Sequence, residues 1–139
     1  MSKNRRLLDQ YRQAAKSIVA DTLPVPNENI VNKQKRITKL LGNYGAFIAY
    51  YFPSYASAPL ADFHIGVTNY LLKHPRCFAA IEWARDHAKS STMWMLALML
   101  ALKKEASTVV LVSKSYDAAE KLLEPIKKNL ESNPRLIAD

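Results

Sequence analysis

Apolar positions over the first part of the chain recur at helical spacing, and later ones gather into short unbroken runs. Leu7, Leu8, Tyr11, Ala14, Ala15, Ile18 and Val19 repeat at intervals of three and four, with Lys3, Arg5, Arg6, Arg12 and Lys16 between them. This predicts a helix from about Ser2 to Ala20. Pro24 and Pro26 in DTLPVPNEN break it, since proline lacks a backbone N–H and crowds the preceding turn. A second helix is predicted to begin at Asn27 or Asn29, either of which can cap it. Its buried stripe is Ile30, Ile37, Leu40, Leu41, Tyr44, Phe47 and Tyr51, with Gly42 and Gly45 as interruptions. Tyr50–Pro59, aromatic and proline-containing, is predicted to be an ordered loop packed on the core.

The second half has a different rhythm. Phe78–Ile81 and Val109–Val112 are short apolar runs suited to buried parallel strands, and Met93–Leu102 is an apolar stretch suited to a buried helix. Strand, polar loop, helix and strand together predict an α/β fold. Its parts are a basic, helical segment over 1–58 and an incomplete parallel-sheet core over 59–139. Ser113–Ser115 falls at the carboxyl end of the second strand, which makes Lys114 a candidate DNA contact. The plainer expectation there is that Ser115 caps a helix Tyr116–Leu123, with Asp117 in its first turn. Pro125 should kink that helix or start another over Pro125–Glu131.

The polar loop carries the candidate chemistry. The phosphate-loop pattern G-x-x-x-x-G-K-[ST] falls on Trp83–Ser90, WARDHAKS. Loop amides and a helix N-terminus would face phosphate oxygens, Lys89 would reach the terminal phosphates, and the Ser90 hydroxyl would hold Mg²⁺. Trp83 and Ala88 stand where glycines are expected. Ala88 fits provided its φ stays negative. Trp83 should end the strand and leave Ala84–Ser90 as the loop. The plainer alternative is that Ser90 is only an N-cap.

With ARDHAKS, the preceding stretch YYFPSYASAPLADFHIGVTNYL and the following LVSKSYDAAEKLLEPIKKNLESNPRLIAD, the chain from about Tyr44 to Asp139 resembles the large terminase subunit of tailed bacteriophages. That subunit is the ATP-driven motor that packages viral DNA. The resemblance implies a P-loop NTPase core of the ASCE type with ATP and Mg²⁺ as cofactors. Lys89 and Arg85 would act catalytically, Arg85 as sensor of the γ-phosphate. The nucleotide would lie against Ala84, Arg85, Asp86, His87, Ala88, Lys89, Ser90 and Ser91. Phe63-His64 falls where the family carries an aromatic residue and an adenine-reading Gln, so His64 would contact adenine; the plainer role is a solvent-facing or helix-capping histidine.

The implied partners are double-stranded DNA, the portal protein, the small terminase subunit and neighbouring copies in a homo-oligomeric ring. The implied setting is the host cytoplasm, at the procapsid portal. The family's Walker B Asp, its catalytic Glu and its nuclease domain have no counterpart before Asp139. The chain is therefore expected to be the N-terminal piece of a longer protein, binding nucleotide weakly and hydrolysing almost nothing alone. Two other readings stay open: another P-loop DNA-dependent ATPase, helicase-like in type, or a non-catalytic module that binds DNA or a capsid component.

Composition narrows this further. The 139 residues are 49% apolar, enough for one globular core, and the single Cys rules out an internal disulfide framework. Cys77 is expected to be a small core residue. His64, His74 and His87 show no metal-ligand spacing. The net charge is +8, and residues 1–40, with nine Lys/Arg against three Asp/Glu, supply +6 of it. Such an arm suits DNA phosphates or, equally, a solvated helical face. Met93–Leu102 falls short of the roughly 20 apolar residues of a membrane span, and the start lacks the apolar core of a secretion signal.

Overall fold

The computed structural model describes residues 3–74 and 76–139 of the chain. Among them are seven α-helices and no strand. Helix α1 (Lys3–Asp21) follows the predicted apolar repeat; its expected start at Ser2 lies outside the described residues. Helix α2 (Ile30–Leu41) begins where Asn29 Oδ1 accepts from the Asn32 N–H at 2.8 Å. The chain then breaks at Gly42, not at Gly45, because Asn43 caps a new helix, α3 (Tyr44–Tyr51), by accepting from the Ala46 N–H. A 3₁₀ turn over Pro53–Ala56 gives the aromatic loop its order. Helices α4 (Asp62–Lys73) and α5 (Lys89–Leu102) follow. Helix α6 (Tyr116–Ser132) is capped by Ser115, as expected, but runs on through Pro125. Helix α7 (Pro134–Ala138) is capped by Asn133.

The core lies between α3 and α5. Both are apolar on nearly every side, as buried helices are. Tyr44, Phe47, Ile48, Tyr51 and Phe52 meet Trp94, Met95, Leu98 and Met99, with Leu40 and Leu136 at the margins. Phe52 and Trp94 pack edge to face, ring centres 5.2 Å apart. Helix α6 bridges this core to α1, and α7 closes against α6.

The α/β expectation is therefore corrected: the structure is all-helical, and the parallel-sheet core of a P-loop NTPase is absent among the described residues. Cys77–Ala84 and Val109–Val112 have no regular structure. Phe78 is fully exposed, and Val110 and Val112 are 75% and 83% exposed. A parallel strand needs neighbours to satisfy its backbone and layers to cover its faces, and two short isolated runs supply neither. Cys77 is likewise exposed, not a core residue.

Candidate functional site

The Ala84–Ser90 turn sits on a fixed helix. Three residues beyond Lys89, Thr92 is buried, and its carbonyl accepts a 3.1 Å hydrogen bond from the buried Tyr44 hydroxyl. A buried tyrosine needs such a partner, and this one ties the first turn of α5 to the core. Burial pushes the Tyr44 phenol well above its ordinary value, though the bond to Thr92 opposes this. The hydroxyl therefore stays protonated and donating.

Lys89 is the first residue of α5 and Ser90 the second. The helix begins at Lys89, so the lysine and the hydroxyl stand on its opening turn, as expected. No side chain caps it. The N–H groups of Lys89, Ser90 and Ser91 thus open the helix without the side-chain acceptor that usually serves them. Lys89, Ser90, Arg85, Asp86 and His87 are all exposed.

Ala88 departs from expectation in an informative way. Its φ is 53° and its ψ 26°, in the left-handed region, and Asp86 also has positive φ, at 66°. The condition set for Ala88 to fit a phosphate loop, a negative φ, is therefore not met. The position keeps the conformation that glycine provides in a phosphate loop, although alanine occupies it. For an L-residue with a Cβ that conformation is strained by about 1–2 kcal/mol.

Helix α4 brings the other expected residues to the loop. Phe63 and His64 pack on Trp83, ring centres 5.1 and 4.9 Å away, and Phe63 lies 5.7 Å from the His87 ring. His64 Nδ1 accepts from the Ala61 N–H at 3.2 Å, and its Nε2 lies 3.0 Å from the His87 carbonyl oxygen. His87 Nδ1–H donates to the Arg85 carbonyl at 2.9 Å and tightens the turn. The structure thus joins His64, His87, Ala88, Lys89 and Ser90 in one place, across 23 residues of sequence for the His64–His87 bond. Trp83 is not the end of a strand but one wall of an aromatic cluster. Its signal was four ring side chains, at 63, 64, 83 and 87, bracketing the turn.

Lys114 is exposed and remote in sequence from this cluster, and Ser115 is engaged as a helix cap. A cavity of about 400 Å³ opens between α1, the 53–56 turn and α6, and no residue of the Ala84–Ser90 turn lines it. Among the described residues no three His, Cys, Asp or Glu side chains gather as metal ligands. No described helix is long and apolar enough to cross a membrane. On α1, Arg5, Arg12 and Lys16 are exposed and spaced by seven and four residues, which places them on one stripe. No known protein family, curated protein or solved structure matches the chain.

Proposed function

We propose that Ala84–Ser90 binds phosphate although no strand among the described residues feeds the turn, and, on the sequence resemblance alone, that the chain is the nucleotide-gripping part of a viral DNA-packaging motor of the large-terminase type. One observation carries the proposal: Lys89 and Ser90 stand on the uncapped first turn of α5, directly after a turn whose backbone is held at positive φ at Asp86 and Ala88. Strained backbone of this kind persists where surrounding structure enforces it, and it concentrates at ligand clamps. The residues fit a polyphosphate. The first-turn amides and the helix dipole favour anionic oxygens. The Lys89 ammonium would neutralise the terminal phosphates, Arg85 would meet the γ-phosphate, and the Ser90 hydroxyl would hold Mg²⁺, which supplies charge neutralisation when bound. Phe63 and Trp83 offer apolar ring surface beside the turn.

Catalysis is a separate matter. Phosphoryl transfer needs acidic residues to hold the metal and orient water, and within Ala84–Ser90 Asp86 is the one acidic residue. The chain by itself should bind Mg-ATP and turn over almost none of it. The test is a thermal melt with Mg-ATP. At 100 times Kd a ligand adds about 2.7 kcal/mol to stability, so the melting temperature should rise, and Lys89→Ala should abolish the rise. An equal rise in the variant would remove Lys89 from the site. Rapid hydrolysis by the wild-type chain, lost in Lys89→Ala, would refute the claim of incomplete chemistry.

The second reading is a non-catalytic helical module that binds DNA. The stripe Arg5–Arg12–Lys16 favours it, because aligned cations suit a run of phosphates. A chain indifferent to Mg-ATP that still binds double-stranded DNA would place the function there.

A further inference from the structure

Resting on the phosphate-loop reading, we infer that His64 is a positioning residue that holds the loop's main chain through His87, and that it does not read a nucleobase. Its two ring nitrogens are already engaged. The Ala61 N–H can only donate, so Nδ1, 3.2 Å away, accepts and carries no proton. The hydrogen of the neutral ring is therefore on Nε2, which donates to the His87 carbonyl at 3.0 Å. Neither nitrogen is left for adenine.

The acceptor's location gives this bond its consequence. The His87 carbonyl and the Ala88 N–H belong to one planar peptide unit. A trans unit directs the two groups in opposite senses. Drawing the carbonyl to His64 therefore fixes where the Ala88 N–H points. It also fixes the plane whose rotation would otherwise relax the left-handed φ of Ala88. His64 stands in the first turn of α4, its own ring set against Phe63 and Trp83, so the loop is braced by a neighbouring helix. The family-type role of an adenine contact and the role inferred here make opposite demands on a base-free ligand.

The experiment measures binding of Mg-triphosphate (inorganic, without a base) and of Mg-ATP to the wild-type chain, His64→Asn, His64→Gln and Lys89→Ala. An Asn amide reaches the position of Nδ1, so His64→Asn keeps the bond to Ala61 but falls short of His87. A Gln amide reaches the position of Nε2 and can still donate to His87. His64→Asn should weaken both ligands equally, by about two- to tenfold, the worth of one neutral hydrogen bond. His64→Gln should bind both like the wild type. Weaker ATP with unchanged triphosphate in His64→Asn would overturn the inference and assign the ring to the base. No change for either ligand would overturn it too.

Failure of the wild type to bind triphosphate, or equal binding by Lys89→Ala, would instead remove the phosphate-loop reading. The brace is then judged on the ligand-free chain by exchange of the Ala88 amide hydrogen. Faster exchange in His64→Asn than in His64→Gln supports the brace, and equal exchange refutes it.

Discussion

Ala88 holds a backbone conformation that its side chain disfavours. An alanine ahead of a lysine and a serine looks like the start of an ordinary helix, and its Cβ made a negative φ the condition for replacing a loop glycine. The chain instead holds it at φ 53°. The strain makes a direct prediction. Ala88→Gly removes the Cβ conflict and should stabilise the protein by about 1 kcal/mol, somewhat offset by the freedom glycine gains when unfolded. A melting temperature that falls in this variant would contradict the left-handed assignment. That Lys89 and Ser90 stand at the start of a helix was legible from ARDHAKS and the apolar run after it. The partnership of His64 with His87 was not, because nothing in local sequence brings residue 64 to residue 87; α4 and the Trp83 ring do so.

At the scale of elements, helices with strong caps and clear apolar repeats were readable. The Leu7–Val19 repeat gave α1, Asn29 gave the start of α2 and Ser115 the start of α6. Helix α4 was not foreseen, since DFHIGVTNYLLK contains β-branched residues and a glycine that weaken a helical pattern. Pro125 does not break α6, because α6 is held along its length by α1, α5 and α7.

Helix α7 is set by contacts that no local pattern displays. Asn133 accepts from the Arg135 and Leu136 N–H groups and donates to the Tyr51 carbonyl. Arg135 stacks on the Tyr50 ring 3.9 Å away. Asp139 then meets Arg36 at 2.7 Å and accepts from the Tyr51 hydroxyl at 2.8 Å. Burial pushes the Asp139 carboxyl up, but the bonds from Arg36 and Tyr51 and the charges of Arg36 and Lys33 outweigh it and hold it below its ordinary 3.8.

The sign of the pH dependence follows. A carboxyl whose folded pKa is depressed stabilises the fold above its unfolded value and loses that contribution as pH falls through the lower folded value. Stability should therefore drop below about pH 4, near the ordinary Asp value, and Asp139→Asn should flatten that part of the profile. Arg36→Ala, which leaves the Asp139 carboxylate with the Tyr51 hydroxyl and the Lys33 ammonium, should cost about 2 kcal/mol at neutral pH, the worth of hydrogen bonds to a charged group. Acid melts of the two variants indistinguishable from wild type would show that the network contributes nothing.

For the whole molecule, the largest difference between sequence pattern and structure is the sheet. Short apolar runs at Phe78–Ile81 and Val109–Val112 fit buried strands by composition, yet periodicity cannot tell a strand that finds neighbours from one that finds none. In this structure the core is completed by α3 and α5, and Phe78, Val110 and Val112 stand in solvent. Substitution measures the difference. Val112→Asp should change stability by less than about 0.5 kcal/mol, as at other exposed positions. A loss of several kcal/mol would mean that Val112 is buried and that the all-helical account is incomplete. The helical frame supports the proposed site in a limited but definite way: a core-anchored helix presents its uncapped N-terminus, and a second helix braces the turn ahead of it.

The most direct measurement is hydrogen exchange at the amides of Lys89, Ser90 and Ser91 with and without Mg-ATP. If those groups grip a polyphosphate, their exchange slows on adding nucleotide in the wild-type chain and stays unchanged in Lys89→Ala. Exchange that ignores saturating Mg-ATP in the wild type would contradict the phosphate-loop account.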